Sequence, residues 1–211
     1  MKITKLGHCC IVIEEKGLRI MTDPGAWTAL QSKGQKIDVV LVTHEHQDHF
    51  HIDSLKEIMA TNPAVRIITN PAVGKLLNDA DVKHELLKHG QSLEIAGVLF
   101  EGHGENHAVI YENYGQVENT GFMVGEKFFF PGDSFHNPSK PVEALALPVA
   151  GPWMKISDAI DYAKAVHPKK CFPVHDGMMS IRGFVYFIVN NFLQPYGIEF
   201  VDTDKNNSFE I

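Results

Sequence analysis

Four side chains that can bind a metal ion fall within six residues, at positions 44–49, which read HEHQDH. They are His44, His46, Asp48 and His49, whose imidazole nitrogen and carboxylate oxygen atoms suit zinc, manganese or iron. In a random arrangement of the same composition, with 12 His and 12 Asp in 211 residues, this pattern would occur about 0.002 times. The segment therefore indicates a metal site and not a solvated polar loop.

Further ligands are expected elsewhere in the chain, because one ion cannot easily use all four of these groups. Two ions about 3.5–4 Å apart could use them while sharing a carboxylate and a hydroxide. His107, Asp133 and His175 are suitable additional ligands. Asp133 and His175 each follow an apolar strand, where a ligand can be held rigidly, whereas the surroundings of His107 are less informative. Each is weak evidence alone, and together with the histidine segment they support one site.

Short strands and helices must position these residues. Apolar or alternating runs predict strands at residues 2–5, 10–14, 18–21, 38–43, 65–69, 92–101 (a pair), 121–124, 127–130, 143–147, 170–174 and 198–201. Residues 38–43 lead directly into the histidine segment and are apolar enough to be buried on both faces. No linker, repeat or low-complexity segment is visible, so residues 1–211 are expected to form one domain.

Apolar spacing of about 3.6 residues predicts helices at residues 52–61, 71–77, 157–166 and 183–193. The expected helix caps are Asp53 or Ser54 for the first, Asn70 before Pro71 for the second, and Ser157 for the third. Strand groups separated by helices favour two packed sheets with helices outside.

The last predicted helix has an apolar stripe, which we expect to face the core. The stripe consists of Phe184, Phe187, Ile188 and Phe192. If these side chains were exposed instead, they would indicate a dimer interface, because a soluble monomer rarely exposes a large apolar patch.

The order of motifs resembles the metallo-β-lactamase superfamily: HxHxDH after a buried strand, then His107, then Gly132-Asp133-Ser134, then His175. The intervals of 26 residues from His107 to Asp133 and 42 from Asp133 to His175 are similar to the family pattern. Leu6-Gly7-His8, Thr22-Asp23-Pro24 and Pro173-Val174-His175-Asp176 further resemble its compact metal-dependent hydrolase branch. The resemblance implies an α/β fold, namely a four-layer αββα sandwich of two mixed β-sheets flanked by helices.

The resemblance also implies a role for each ligand. One divalent ion would be held by His44, His46 and His107, and a second by Asp48, His49 and His175, with Asp133 as the bridge. Zinc is the favoured metal, with manganese or iron as alternatives. Asp48 would orient the attacking hydroxide and pass a proton to the leaving group, and Asp133 would set the spacing of the ions.

Several nearby residues leave alternatives open. His103 rivals His107 as a ligand, although its 30-residue interval to Asp133 fits the family less well. His8 either contacts substrate or a ligand, or makes a structural hydrogen bond, and Asp23 either accepts a ligand His N–H or forms a turn. Asp176 either supports a ligand or caps a helix, and Trp153 belongs either to a pocket wall or to the core. His51 and His136 either line the pocket or lie in solvated loops. His84, His89 and His167 are expected at the surface.

The overall composition limits the partners. The net charge of −7, with no long Lys/Arg run, does not favour nucleic acid, so a small-molecule substrate is expected. The apolar runs are too short for a membrane span and the first 20 residues resemble no signal peptide, so a cytoplasmic location is expected. Three cysteines predict buried thiols and not a disulfide framework. The sequence leaves open whether the chain forms a homo-oligomer.

The function predicted from these residues is hydrolysis of an ester, lactone, amide or phosphodiester bond in a small substrate, by a dinuclear metal centre with a bridging hydroxide. Loops 25–36 and 150–157 would set the substrate. The alternatives are a nucleic-acid phosphodiesterase, a diiron redox protein and a non-catalytic metal-binding scaffold. Diiron relatives place a Glu where this chain has His46, which weakens the redox alternative.

Overall fold

The first of two β-sheets lies in the N-terminal half of the chain and takes its last strand from the C-terminus. The computed structural model describes residues 1–28 and 36–211. This sheet contains β1 (Lys2–Gly7), β2 (Cys10–Glu15), β3 (Leu18–Thr22), β4 (Val39–Val42), β5 (Arg66–Thr69), β6 (Glu85–Leu86) and β14 (Ser208–Glu210). Its order is β14-β1-β2-β3-β4-β5-β6, antiparallel up to β3 and parallel from β3 to β6.

The second sheet repeats this mixed arrangement. It contains β7 (Ser92–Ile95), β8 (Val98–His103), β9 (Gly121–Val124), β10 (Phe128–Phe130), β11 (Ala144–Pro148), β12 (Lys170–Val174) and β13 (Glu199–Phe200). Its order is β13-β12-β11-β10-β9-β8-β7, parallel from β13 to β10 and antiparallel beyond.

Helices cover the outer face of each sheet. They are α1 (Ile52–Thr61), α2 (Pro71–Asp79), α3 (Ile156–Val166) and α4 (Arg182–Leu193), which a short 3-10 helix (Gln194–Tyr196) follows. Side chains from α1 and α2 join one apolar cluster with the outer face of the first sheet, and those from α3 and α4 join another with the second. A third cluster fills the space between the sheets. The predicted αββα sandwich is confirmed.

Strand β4 shows how the sequence pattern leads to this layering. Val39 and Leu41 point into the cluster between the sheets, whereas Val40 and Val42 point into the cluster under α1 and α2. Successive side chains of a strand alternate between faces, so an uninterrupted apolar run fits a strand buried on both. The strand preceding the histidine segment is therefore anchored in two cores at once.

Two of the predicted helix caps are wrong. Helix α1 is capped by His51, whose Nδ1 accepts the Ser54 backbone N–H at 3.4 Å. Helix α3 begins at Ile156, so Ser157 lies inside it, and the Asp158 carboxylate accepts the Lys155 N–H at 2.7 Å. In each case a side chain one to three residues away from the predicted cap satisfies the N-terminal N–H group. The expected cap at Asn70 is found, where Oδ1 accepts the Val73 N–H at 3.0 Å.

Three of the four side chains in the apolar stripe of α4 do not face the core as predicted, whereas Ile188 packs against it. Phe184, Phe187 and Phe192 are 66%, 64% and 56% exposed. The helix buries Tyr186, Val189 and Leu193 instead. Because α4 is apolar around most of its circumference, the spacing of its large side chains did not distinguish the face that packs on the sheet.

Within residues 1–28 and 36–211, none of the helices combines the length and apolar character needed to cross a lipid bilayer. Residues 29–35, most of the loop 25–36 expected to influence substrate choice, lie outside the described residues.

Candidate metal centre

The candidate ligands meet at one edge of the sandwich because each follows a strand that ends there. Residues 44–49 follow β4, Asp133 follows β10, and His175 follows β12 directly. Three residues at this edge have left-handed backbone angles, namely His8 (φ 28°), Asp23 (φ 37°) and His175 (φ 58°). Such angles are costly for non-glycine residues and are maintained by the surrounding structure.

The predicted ligands form two groups, as the sequence suggested. The candidate ligand atoms of His44, His46 and His107 all lie within 4.8 Å of one another. The ligand atoms of Asp48, His49 and His175 form a second group within the same distance of one another, and this group also includes His8. His103 is instead grouped with His89 and His136. The geometry thus favours His107 over His103 for the first group.

Asp133 lies between the two groups. Its Oδ1 is 3.1 Å from His49 Nε2, and its Oδ2 is 2.9 Å from His175 Nε2 and 3.3 Å from His107 Nε2. The Trp153 indole N–H donates to Oδ2 at 3.1 Å. A carboxylate in contact with ligands of both groups has the position expected of a bridge between two ions.

The Asn119 side chain fixes the turn that precedes Asp133. The Asn119 side chain accepts the Asp133 N–H at 3.0 Å and donates to the Pro131 carbonyl at 2.9 Å. Gly132 has φ +65°, and a Cβ on it would lie 2.3 Å from Asn119 Oδ1. A larger residue could not take this position without moving Asn119 and, with it, the Asp133 carboxylate.

For three of the candidate ligands, a hydrogen bond to Nδ1 fixes which ring nitrogen is presented to the site. His49 Nδ1 donates to Asp23 Oδ2 at 2.6 Å, and His107 Nδ1 donates to the Ala108 carbonyl at 2.5 Å. Thr43 Oγ1 donates to Asp23 Oδ2 at 2.7 Å, so it can accept the His44 Nδ1–H at 3.0 Å. Each ring is therefore left with Nε2 as the atom that can bind a metal.

These Nε2 atoms have the surroundings expected of metal ligands. Among the described residues, the Nε2 atoms of His44, His49 and His107 are buried without a hydrogen-bond partner, and so is Asp133 Oδ1. Buried polar atoms are normally satisfied, so a cluster of unsatisfied ones facing each other needs an explanation. Divalent ions bound by these atoms would provide it, and the donor set of nitrogen and carboxylate oxygen fits zinc, manganese or iron.

His8 has a different function from the ligands beside it. Its Nδ1 accepts the Gly177 backbone N–H at 3.1 Å, so its Nε2 holds the proton and donates to Asp48 Oδ2 at 3.1 Å. A nitrogen that already donates is not available to a metal ion. Of the two sequence-based alternatives, the geometry favours a residue that positions a ligand. Asp23, which accepts the His49 N–H, also has the supporting position expected for it.

Burial and neighbouring charges favour the metal-binding forms of His44 and Asp133. Burial would lower the pKa of His49 and His175, but the charge of Asp133 outweighs it and raises both well above their usual value. Burial lowers the pKa of His44 well below its usual value, and the charge of His49 adds to this effect. Burial would raise the pKa of Asp133, but the charges of His49 and His175 outweigh it and hold that pKa well below its usual value. A neutral imidazole and an ionised carboxylate are the forms that metal binding requires.

For two residues near the site, the structure decides between alternatives that the sequence left open. Asp176 is fully buried and accepts from Lys5 Nζ at 2.5 Å and from the Tyr186 hydroxyl. It supports the segment that follows His175 and caps no helix. Trp153 is both buried and part of the pocket wall.

Cys9 was not predicted to contact the site. Its sulfur lies within 4.8 Å of the ligand atoms of His49 and Asp133. Burial raises the pKa of its thiol, but the charges of His49 and His8 outweigh this and lower the pKa to about 7. All three cysteines are buried and unpaired within the described part of the chain, as expected. A cysteine at the start of an apolar strand has no sequence signal that separates it from a core residue.

An open cavity of about 440 Å³ leads to these ligands. Its floor contains His46, Asp48, His107, Asp133 and His175, and its walls contain Trp27, Ile110, Tyr114, Gly115, Pro152, Trp153 and Met178. This volume is in the range of small-molecule sites, so the candidate metal centre is accessible to a small substrate.

The chain is similar to known proteins over most of its length. A family model described as the β-lactamase superfamily domain matches residues 2–175. The chain is 31% identical over 193 residues to the protein Rv0786c of Mycobacterium tuberculosis, covering 88% of this chain and 90% of that one. It is 22% identical over 224 residues to a UPF0173 metal-dependent hydrolase of Nanoarchaeum equitans, covering 100% of both.

A solved structure shows the same architecture. The metallo-β-lactamase fold protein YhfI of Bacillus subtilis matches with a TM-score of 0.74 and 15% identity, covering 99% of both chains. The chain therefore belongs to the metallo-β-lactamase superfamily, which confirms the resemblance to metal-dependent hydrolases that its motifs indicated.

Proposed function

We propose that this protein is a metal-dependent hydrolase that uses two divalent ions, with zinc favoured, to cleave an ester, lactone, amide or phosphodiester bond in a small substrate. The position of Asp133 supports this proposal most directly. Its carboxylate contacts His49 and His175 of one ligand group and His107 of the other. A single ion would need only one of the two ligand groups, whereas a carboxylate that contacts both groups suits a pair of ions.

When bound, the two ions would supply a bridging hydroxide at neutral pH and would polarise the substrate oxygen. The protein's own contribution is to orient and move protons. Burial would raise the pKa of Asp48, but the neighbouring His175 and His8 outweigh this effect and hold it well below its usual value, so this carboxylate is ionised. Held by the His8 N–H, Asp48 can orient the attacking hydroxide and pass the proton of that hydroxide to the leaving group as the substrate bond breaks.

The alternative functions have less support. Among the described residues, the cavity wall has no Lys or Arg to bind a phosphate backbone. A diiron redox protein would hold iron with an absorption band that changes on reduction. A non-catalytic scaffold would hold its metals and turn over nothing. Metal analysis together with a panel of substrates therefore separates the candidates.

The test is to substitute His46, a candidate ligand whose side chain is half-buried and lines the cavity. His46→Ala should lose about one ion per chain and at least about 100-fold in kcat/KM on p-nitrophenyl esters or bis-p-nitrophenyl phosphate, because a missing ligand costs more than a missing outer partner. Metal content by mass spectrometry and activity assays measure both effects. His84→Ala, which removes a histidine distant from the centre, is the matched control. Full activity in His46→Ala, or activity that survives exhaustive chelation, would contradict the proposal.

A further inference from the structure

The cavity walls contain apolar side chains from several segments of the chain. Trp27 lies in the loop after β3, and its ring centroid is 5.0 Å from that of His8. Ile110 and Tyr114 belong to the loop that follows His107, and Met178 follows His175. Apolar side chains therefore lie next to the candidate ligands in this cavity.

Ile110 lies directly beside the candidate ligands. A Cβ on Gly115 would lie 2.4 Å from Ile110 Cδ1 and 3.8 Å from His46 Cε1. The loop therefore turns back so that Ile110 packs on the glycine, next to a candidate ligand. An apolar group attached to a reacting bond at the metal centre would contact this side chain immediately.

The apolar surface continues outwards along the same segments. Tyr114 is 72% exposed, and its loop neighbours Val109 and Tyr111 are also exposed. On the other segment Met178, Ile181 and Phe184 are exposed in succession. Large apolar side chains exposed together around a site usually mark a binding surface. Tyr114 and Met178 also line the cavity, so a substrate bound in the cavity is the natural occupant of this apolar surface.

The charge of the cavity also restricts the substrate. Within residues 1–28 and 36–211, the cavity wall contains no Lys, Arg, Ser, Thr or Asn. A phosphate or carboxylate on the non-reacting part of a substrate would be desolvated there without a partner, and this is costly. A neutral apolar group incurs no such cost.

We propose that the cavity is an acyl subsite, which selects an ester, lactone or amide whose non-reacting part is an uncharged apolar chain, contacted by Trp27, Ile110, Tyr114 and Met178. This inference rests on the proposed hydrolase function and narrows its substrates to those whose non-reacting part is uncharged and apolar. A long acyl chain would extend out of the cavity past Tyr114 and Met178, towards the exposed apolar side chains of the same segments. Burial of each methylene group is worth a factor of about 4 in binding.

The experiment uses the metal-loaded protein and p-nitrophenyl esters of acetic, butyric and hexanoic acid. The kcat/KM should rise at least about 10-fold from acetate to hexanoate, because four further methylene groups are buried. The p-nitrophenyl monoester of adipic acid has the same six-carbon acyl chain but ends in a carboxylate. It should react at least about 10-fold more slowly than the hexanoate ester, because its charge finds no partner.

Substitutions locate the effect. Tyr114→Ala and Met178→Ala should reduce kcat/KM for hexanoate more than for acetate, so the dependence on chain length becomes shallower. Phe192→Ala, which removes an exposed aromatic side chain outside the cavity wall, is the matched control and should leave that dependence unchanged. A flat chain-length series, or equal turnover of hexanoate and the adipic monoester, would overturn the acyl subsite and leave the hydrolase proposal intact.

A second measurement separates the two proposals. If no ester, amide or phosphodiester is hydrolysed, the proposed function fails, and calorimetric binding of acetyl, butyryl and hexanoyl hydroxamates to the metal-loaded protein tests the subsite by itself. Affinity that rises with chain length, and rises less in Met178→Ala, supports the subsite. Affinity that is independent of chain length overturns it.

Discussion

The orientation of the candidate ligand histidines depends most on Asp23. Its carboxylate accepts His49 Nδ1–H, the Thr43 hydroxyl and the Thr43 backbone N–H. Through Thr43 it also reaches His44. Ligand histidines are commonly oriented by a carboxylate or carbonyl in this way, because the hydrogen bond fixes the tautomer and makes the metal-binding nitrogen more basic.

Asp23→Asn therefore provides a test at the scale of single residues. The amide keeps the shape but loses the charge, so zinc affinity should fall about 10–100-fold. Competition with a chromophoric chelator measures this affinity. Asp53→Asn, on the exposed first turn of α1, is the control and should bind zinc as the unaltered chain does. Equal affinity in both variants would show that Asp23 is a turn residue without influence on the metals.

The convergence of the candidate ligands in one place was predictable because their spacing is dense and they lie at strand ends. The tautomers were not, since they depend on partners far away in the sequence, such as Asp23 for His49 and Ala108 for His107. The contrast between His8 and His49 illustrates this point. Both are buried histidines beside Asp48, and only a backbone N–H from Gly177 prevents His8 from being a ligand.

At the scale of elements, a buried charge network connects the two sheets behind the candidate site. Lys5 of β1 and Tyr186 of α4 both bond to Asp176, which follows β12 and His175. Burial lowers the pKa of Lys5, although Asp176 offsets part of this effect. The network fixes the start of the segment that leads from His175 to Met178.

Lys5→Met should destabilise the fold by about 3–5 kcal/mol, because it leaves the Asp176 carboxylate buried without its cation. The free energy of unfolding in urea measures this loss. Lys2→Met, at an exposed position of the same strand, is the control and should change stability by less than about 0.5 kcal/mol. A loss below about 1 kcal/mol in Lys5→Met would mean that water reaches Asp176 in solution.

Elements with one clear apolar period were predictable, and those that depend on tertiary contacts were not. The apolar run of β4 predicts a strand that is buried on both faces, and each face does pack against a hydrophobic cluster. Helix α4 is apolar on several faces, so the choice of Tyr186, Val189 and Leu193 as its buried face depends on where α3 and the second sheet lie. The caps of α1 and α3 depend on local backbone geometry that residue type alone does not specify.

At the scale of the whole molecule, the candidate ligands impose a cost on the fold. Unsatisfied imidazole nitrogen atoms and a buried carboxylate meet where the two sheets end, and cations would satisfy both. A ligand that binds the folded state alone stabilises it in proportion to the logarithm of its concentration over its Kd. The two sheets should therefore be held together more firmly with metal than without it.

Zinc at about 1,000 times its Kd should raise the melting temperature by about 10 °C, since this ratio provides about 4 kcal/mol and each kcal/mol is worth about 2–4 °C in a chain of this size. Differential scanning calorimetry with zinc and with a chelator measures the shift. His46→Ala should show a smaller shift and His84→Ala the full one. Identical melting temperatures with and without metal would argue against a tightly bound ion.

Asp23 has a consequence for the two ligand groups considered together. Both His49 and, through Thr43, His44 draw on the negative charge of this one carboxylate. Each ligand group therefore contains a histidine that is linked to Asp23. If both groups hold an ion, we expect a change in the metal bound by one group to alter the affinity of the other through this shared carboxylate.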